Sequence, residues 1–274
     1  MTSAPRGTRN HTLRLFVIAL CTFLLVNCYR TPNSVSDPTL YALLWVRTSA
    51  EYEALCRQTF NIALEHVRRE IKRQGVQTND KPPAVVMDLD ETVLDNSAYN
   101  VRLIKGGLRF SHDSWQRWNR ENADEITLVP GAKQFIKAIE KEDVKVIFVS
   151  NRSIVIKDIT TDILLKFDLA RKEELLSNDP PKLLLRKITS SKESRRKTVR
   201  KHYNIIAFIG DNLGDFSDDF RSPTVNSIDE RREKVGTHAD QWGTNWFVMP
   251  NPLYGYWTRY IDWDKPERHF GERQ

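Results

Sequence analysis

Two aspartates, Asp88 and Asp90, stand one residue apart directly after a short apolar run over 84–87. Two carboxylates at this spacing repel each other, so either one of them takes up a proton or both share a cation. A D-x-D pair on its own is equally compatible with a solvated turn, because so short a pattern often occurs by chance. The residues that meet this pair in the fold therefore decide its interpretation.

Polar residues also follow two later apolar runs of the chain. Ser150 follows the run over 144–149, and Asp211 follows the run over 205–209, with Asp215 one helical turn further on. A hard divalent cation, most simply Mg²⁺, suits carboxylate-bearing segments that meet at one place. A serine hydroxyl and nearby backbone amides are suited to hold phosphate oxygens. The pattern therefore favours a divalent cation at this place, beside a hydroxyl that is able to hold phosphate oxygens.

Short apolar runs alternate with helical patterns from residue 84 onward, and a fourth run covers 246–249. This alternation predicts an α/β fold, with a Rossmann-like parallel sheet and helices on both of its faces. Ligands of such sheets bind beyond the carboxyl ends of the strands, which is where the polar residues lie. A further helix is predicted over 49–73, after a capping box from Thr48 to Glu51.

The segment over 96–128 separates the first two predicted strands and is too long for a simple loop. It carries four large aromatic side chains, which are Tyr99, Phe110, Trp115 and Trp118. These features predict a small, mainly helical cap, inserted into a domain that spans 48–262. A polar tail over 263–274 follows the domain.

Composition and charge argue against several classes of protein. The chain has 274 residues, of which 40% are hydrophobic, and this suffices for a substantial buried core. Its formal net charge of +6 is partly due to Arg6, Arg9 and Arg14, which precede an apolar segment. No basic patch is interleaved with aromatic residues, so no nucleic-acid polymer is expected as a partner. The chain has no G-x-x-x-x-G-K-[ST] loop, which argues against a kinase or a nucleotide-driven motor.

The segment 1–28 has the pattern of a signal peptide. A basic stretch precedes an apolar run over 15–26, which is shorter than the ~20 residues of a membrane span. The alternative is an uncleaved N-terminal anchor. Asn27 and Cys28 follow the run, and the segment from Leu25 to Cys28 is similar to a bacterial lipobox, except that Asn27 replaces the usual small residue. We expect export to the periplasm or the outer membrane, either free or held by a lipid anchor at Cys28 through a tether over 29–47.

Four motifs in order along the chain resemble those of the haloacid dehalogenase superfamily. They are the segment from Asp88 to Thr92, then Ser150, then Lys192, and finally the segment from Gly210 to Asp215. Closer still is the similarity to the bacterial class C acid phosphatases, which are outer-membrane lipoproteins. The resemblance extends from about Ser49 to Trp257 and includes SAEYEAL, MDLDETVLDNSAYN, FVSNR, GDNLGDF and WFVMPNPLYGYW.

This resemblance implies an acid phosphatase that acts on small phosphomonoesters in two steps. Asp88 would be the nucleophile that forms an aspartyl-phosphate. Asp90 would protonate the leaving oxygen and then activate water for the second step. The implied cofactor is Mg²⁺, held by Asp88, by the backbone carbonyl of Asp90 and by Asp211.

The other motif residues would stabilise the transferring group. Ser150 would hydrogen-bond a phosphate oxygen, and Lys192 would offset the remaining negative charge. Lys187 and Lys197 are the alternatives to Lys192, because several basic residues lie in the same stretch. Asp215 would orient Lys192 or the metal shell, or serve a structural role in the turn.

Trp115 and Tyr254 match positions where the family places an aromatic pocket for nucleoside 5′-monophosphates. Asn151 and Arg152 directly follow the second motif and would contact the phosphate or brace the loop. Two other functions remain open at this stage. One is a phosphotransferase on the same fold, and the other is a catalytically weak surface lipoprotein that binds a nucleotide or haem. Retention of both carboxylates of the D-x-D pair favours catalysis.

Overall fold

A computed structural model of the chain describes residues 39–74 and 81–270. The predicted signal peptide, Cys28 and most of the predicted tether lie outside the described residues. Within the described part of the chain, no helix is long and apolar enough to cross a membrane. The sheet, the cap and the candidate site all lie within the compact unit that begins at Tyr41.

Seven strands are present among the described residues. They are β1 (Pro83–Met87), β2 (Leu94–Asp95), β3 (Thr127–Leu128), β4 (Lys145–Ser153), β5 (Leu183–Arg186), β6 (Asn204–Gly210) and β7 (Trp246–Val248). Five of them form one parallel sheet in the order β5-β4-β1-β6-β7, and β2 pairs with β3 in an antiparallel ribbon. The predicted α/β fold with a parallel sheet is confirmed.

Nine α-helices accompany these strands in the same residues. They are α1 (Thr39–Thr48), α2 (Ala50–Gln74), α3 (Ser97–Gly106), α4 (His112–Glu121), α5 (Ala132–Lys141), α6 (Lys157–Lys166), α7 (Lys172–Leu176), α8 (Glu193–His202) and α9 (Ile228–Thr237). Short 3₁₀ helices cover Ala123–Glu125, Ile154–Ile156, Leu213–Asp215, Asp218–Phe220, Tyr256–Tyr260 and Pro266–His269.

The central strand β1 is apolar throughout because both of its faces are covered. Val85 and Met87 belong to one hydrophobic cluster, while Ala84 and Val86 belong to a second cluster on the opposite face. This division follows the two-residue period of a strand. A strand buried on both sides brings Asp88, the next residue, to the centre of the sheet edge.

Helix α2 packs its apolar stripe against the sheet. Cys56, Phe60, Ala63 and Val67 recur at helical spacing and are almost fully buried. The backbone N–H of Tyr52 donates to Ser49 Oγ at 3.1 Å. Ser49 is therefore the residue that caps the N-terminus of this helix, one residue after Thr48, where the capping box was predicted to start.

The cap consists of α3, α4 and the 3₁₀ turn that follows them, and the β2–β3 ribbon lies at its base. The Tyr99 ring is 5.0 Å from the Trp115 ring and 5.3 Å from the Trp118 ring, measured between centroids. The two tryptophan rings stack at 5.5 Å. Phe110, although exposed, lies edge-on to Tyr99 at 6.3 Å, so all four aromatics singled out in the sequence are in contact within the cap.

The structure differs from the sequence-based expectations in three places. Residues 39–47 of the predicted tether belong to α1, because Leu43 and Val46 lie one turn apart and are buried in the core. Strand β4 continues to Ser153 instead of ending at residue 149, since Ser153 pairs with Arg186 of β5. The edge strand β5 itself was not predicted. These three places do not include the predicted polar tail, in which Pro266–His269 forms a 3₁₀ helix.

Candidate active site

Two neighbouring strands deliver the acidic residues of the site. The backbone N–H of Asp88 donates to the carbonyl of Ile209 at 3.0 Å, so Asp88 still takes part in the ladder between β1 and β6. Asp211 follows the last residue of β6 directly. Because β1 and β6 are parallel neighbours, their carboxyl ends lie side by side and bring both acids together.

Three carboxylates form a tight cluster at this edge. Asp88, Asp211 and Asp215 each place an oxygen within 4.8 Å of the others. Lys192 Nζ lies 2.5 Å from Asp88 Oδ1 and 2.7 Å from Asp215 Oδ1. Lys192 immediately precedes α8 and is 2% exposed. Three carboxylates thus face one ammonium group.

The lysine alternatives lie away from this cluster. Lys187 is exposed on the loop after β5. The side chain of Lys197 is 70% exposed and lies 4.0 Å from Glu193. Lys192 is therefore the lysine that the fold brings to Asp88.

Burial and mutual repulsion dominate the electrostatics of the cluster. Loss of hydration raises the pKa of Asp88 to about 7; Lys192 opposes this rise, while Asp215 and Asp90 add to it. Burial, followed by Asp215 and Asp88, raises the pKa of Asp211 well above its usual range. Burial alone would lower the pKa of Lys192, yet the two carboxylates that it contacts raise it. The cluster is therefore short of positive charge.

Asp215 has a position that the fourth motif dictates. Its Oδ2 accepts the backbone N–H of Asn212 at 3.0 Å, which closes the turn. A Cβ on Gly210 would overlap that same oxygen and lie only 2.6 Å from the Asp215 Cβ, so any side chain at 210 would require Asp215 to move. Asp215 thus joins the acidic cluster, although the predicted metal set did not include it.

The Asp90 side chain turns away from the cluster and toward the cap. Its Oδ1 accepts Arg152 Nε at 2.9 Å, Arg152 Nη2 at 2.8 Å and Asn96 Nδ2 at 2.9 Å. The side-chain carboxylate of Asp90 is therefore free of the three-acid cluster. Metal binding through its backbone carbonyl stays a prediction.

Arg195 of helix α8 supports the backbone around Ser150, the second motif. Ser150 is fully buried, and its Oγ accepts the backbone N–H of Arg152 at 3.1 Å. Arg195 donates through Nη1 to the Ser150 carbonyl at 2.5 Å and through Nη2 to Asn151 Oδ1 at 2.8 Å. Burial lowers the pKa of Arg195 to about 10. Asn151 is exposed, whereas Arg152 is 1% exposed.

The two aromatic candidates lie beside different parts of the site. The guanidinium of Arg152 lies over the Trp115 ring, 5.5 Å from its centroid. Tyr254 is 40% exposed and precedes Gly255, whose Cβ, if present, would be 3.1 Å from Asn212 Nδ2. Trp115 is thus adjacent to the Asp90 side of the site, and Tyr254 is adjacent to the fourth motif.

Sequence reasoning missed several polar residues that orient the site. Asn251 Nδ2 donates to Asp211 Oδ2 at 2.8 Å, and Thr92 Oγ1 donates to Asp211 Oδ1 at 3.3 Å. Asn119 and Arg195 were missed as well. One available signal was the spacing of Lys192 and Arg195, which places both on one face of a helix. The asparagines carry no comparable signal.

A buried acid cluster at the carboxyl end of a parallel sheet, faced by a lysine and a helical cap, defines the class of haloacid dehalogenase-like proteins. A family model described as "HAD superfamily, subfamily IIIB (Acid phosphatase)" matches residues 24–257. The chain belongs to this family. The predicted membership in the class C acid phosphatases is thereby confirmed, and so, at the level of the family, is the prediction of a phosphoric monoester hydrolase.

Known structures and relatives agree with this assignment. The class C acid phosphatase from Bacillus anthracis with tungstate bound is 30% identical, with a TM-score of 0.72 over 86% of this chain and 97% of that chain. A second structure of the Bacillus anthracis class C acid phosphatase matches at 29% identity with the same TM-score. The Stem 28 kDa glycoprotein of Glycine max is 29% identical over 171 residues. That match covers 62% of this chain and 58% of the soybean protein.

Proposed function

We propose that the protein is a Mg²⁺-dependent acid phosphatase that hydrolyses small phosphomonoesters through an aspartyl-phosphate. The observation that carries the proposal is the cluster of Asp88, Asp211 and Asp215 around Lys192 at the carboxyl end of the sheet. The Bacillus anthracis structure with tungstate bound supports it, because tungstate is a tetrahedral oxyanion like phosphate.

The donor set fits a hard divalent cation. Its oxygens come from carboxylates that a single ammonium group does not neutralise. Asp88 and Asp211 would hold the ion, with the backbone carbonyl of Asp90 as the third protein ligand. A bound Mg²⁺ supplies positive charge that keeps Asp88 ionised and reduces its repulsion of the substrate phosphate.

The chain's own residues carry the two chemical steps. An Asp88 oxygen attacks phosphorus, while Asp90 gives a proton to the ester oxygen as the P–O bond breaks. Asp90 then takes a proton from water, which attacks phosphorus and releases phosphate and Asp88. Ser150 donates to a phosphate oxygen, and Lys192 offsets the charge of the transferring group.

Nucleoside 5′-monophosphates are the substrate class that we propose. Tyr254 offers a flat face for a base, and aromatic stacking is worth about 1–3 kcal/mol per base. Tyr254 is exposed enough to contact a ligand, whereas Trp115 already stacks on Trp118.

The test is hydrolysis of p-nitrophenyl phosphate and of a nucleoside 5′-monophosphate by the chain that starts after Cys28. Assays with Mg²⁺, with a chelator and with Asp88→Asn run in parallel. Turnover is expected to vanish with the chelator and in Asp88→Asn. A folded wild-type protein without turnover on either ester, from acidic to neutral pH and with metal supplied, would overturn the proposal. Phosphate transfer to an added alcohol in place of hydrolysis would identify a phosphotransferase.

We further propose that the protein is exported and held at a membrane by lipid on Cys28. Support comes from the basic stretch, the apolar run and the lipobox-like end of the first 28 residues. Bacterial expression with a labelled fatty acid tests this, with Cys28→Ser as the control. Label in the wild-type protein and none in the variant is expected. An unlabelled wild-type protein in the soluble fraction would contradict the anchor.

A further inference from the structure

Arg152 is buried in the middle of a polar network that connects the sheet to the cap. It lies near the end of β4, and its side chain is fully buried. Besides its two bonds to Asp90, it donates through Nη1 to Asn119 Oδ1 at 2.8 Å and through Nη2 to Asn96 Oδ1 at 3.2 Å. A guanidinium with all its nitrogens engaged in this way has little left to offer a phosphate.

The two oxygens of Asp90 have different environments. Oδ1 accepts three hydrogen bonds, two from Arg152 and one from Asn96. Among the described residues, no group donates to Oδ2. Three donors on one oxygen fix the plane of the carboxyl group and leave the second oxygen available.

The partners of Arg152 on the cap are themselves fixed. Asn119 Nδ2 donates to the Trp115 carbonyl at 2.9 Å, one turn earlier in α4, so its Oδ1 is directed at Arg152. The ring of Trp115 lies 5.5 Å from the guanidinium carbon, within the range of a cation–π contact. Helix α4 therefore holds Arg152 by a hydrogen bond and by an aromatic face.

We propose that Arg152 is a positioning residue for the general acid: together with Asn96 it holds Oδ1 of Asp90, so that Oδ2 delivers the proton to the leaving oxygen. Helix α4 of the cap, through Asn119 and Trp115, keeps Arg152 in place. This inference rests on the proposed function, because it assumes that Asp90 is the acid of a phosphatase. It assigns Arg152 to the acid instead of to the phosphate.

The proton balance places the role of Arg152 in the first step. The ester P–O bond breaks as the Asp88–phosphorus bond forms, and the Oδ2 proton moves to the departing oxygen. Asp90 is left as a carboxylate, with the positive charge of Arg152 beside it. A departing alkoxide needs this proton, whereas p-nitrophenolate leaves readily without it.

The experiment compares two esters in one set of variants of the chain that starts after Cys28. The measured quantity is kcat/KM for glycerol 2-phosphate divided by kcat/KM for p-nitrophenyl phosphate, because kcat/KM reports on the first step alone. Asp90→Asn serves as the reference, since loss of a general acid costs about 10²–10⁴-fold. We expect Arg152→Lys to lower this ratio by about 10-fold or more, in the same direction as Asp90→Asn.

A second pair of variants keeps the test decisive should Arg152→Lys fail to fold. Asn119→Leu removes the acceptor of Arg152 at similar volume, whereas Asn119→Asp retains an acceptor oxygen. The ratio is expected to fall in Asn119→Leu and to recover at least partly in Asn119→Asp. Arg120→Lys is the matched control, because Arg120 contacts Val155 and Asp158 from the same helix without touching Arg152.

The outcomes separate the inference from the proposed function. Equal losses on both esters in Arg152→Lys and Asn119→Leu would mean a purely structural role and would overturn the inference. If Asp90→Asn itself leaves the ratio unchanged, the acid role of Asp90 fails, and the inference fails with it. If wild type hydrolyses neither ester, the phosphatase proposal is the one that falls.

Discussion

Lys192 places one positive charge between two buried carboxylates, with its Nζ 2.5 Å from Asp88 and 2.7 Å from Asp215. Removing one partner of a buried ion pair leaves a charge without compensation, which costs about 3–5 kcal/mol. Buried carboxylates respond in part by taking up protons, and a protonated Asp88 is a poor nucleophile. The lysine therefore bears on both stability and activity.

We expect Lys192→Met to lose at least about 100-fold in kcat/KM, since it removes charge that offsets the transferring phosphate. Lys187→Met is the matched control, because Lys187 is exposed on the loop just before. The measurement is p-nitrophenyl phosphate hydrolysis, with circular dichroism to verify folding. Near-normal turnover in Lys192→Met, or a comparable loss in Lys187→Met, would contradict the assignment.

Ordered motifs were sufficient to single out the acids and the lysine that the fold brings together, and the chemical roles of these residues stay predictions. The same reasoning could not predict that Arg152 binds Asp90, because the two residues are 62 positions apart. An arginine directly after the second motif is equally able to contact a phosphate or to brace the loop. Asn119 and Asn251 are still harder to foresee. The role of an asparagine side chain depends on the hydrogen-bond partner that the fold places opposite its amide, and the sequence does not show that partner.

At the scale of elements, the turn after β6 is closely packed. Gly210 ends the strand, and the Asp215 side chain returns so closely that its Cβ is 2.6 Å from where a Cβ of residue 210 would be. Two real side chains do not approach this closely, so the turn must open if any side chain is added. Opening the turn moves Asp215 away from Lys192.

Gly210→Ala is therefore expected to cost about 1–3 kcal/mol of unfolding free energy, as overpacking does, and to lower activity as well. Gly236→Ala is the control, because nothing lies within 4 Å of its added Cβ and it sits within α9. That control should be neutral or stabilising by up to about 1 kcal/mol. Denaturant unfolding measures the free energy of unfolding of both variants. Equal values for the two would show that the turn accommodates a side chain at 210 without strain.

Apolar runs predicted four of the five strands of the main sheet, because a strand buried on both faces leaves a clear sequence signal. The edge strand β5 was missed because its run of three leucines is short and bounded by charged residues. The extension of β4 through Ser153 was missed for a different reason. Pairing with Arg186, not hydrophobicity, keeps that segment extended.

At the scale of the whole molecule, we expect the acidic cluster to make stability depend on pH and on cation binding together. Burial raises the pKa of Asp88 to about 7 in the folded chain, above its usual value of 3.8. A carboxyl group whose pKa is raised on folding contributes stability at low pH, and that contribution is lost as pH rises through the folded value. A divalent cation bound at the cluster would reverse this trend, because it would favour the ionised form.

In the metal-free protein, the contribution of this cluster to Tm is therefore expected to be smaller at about pH 7.5 than at about pH 5. Mg²⁺ should raise Tm more at the higher pH, where fewer protons compete for Asp88. Thermal unfolding with chelator or with Mg²⁺ at both pH values measures this. Asp88→Asn should lose most of the difference, and an equal Mg²⁺ effect at both pH values would argue against the cluster as the binding site.

The hydrogen bond from the Asp88 amide to Ile209 limits local opening of the structure around Asp88. The proposed nucleophile is tied into the ladder of the two central strands, so its amide exchanges with solvent only when those strands part. Asp90, by contrast, depends on side-chain contacts that reach across to α4. We therefore expect small openings of the cap to free the proposed acid while the proposed nucleophile stays in register with the sheet.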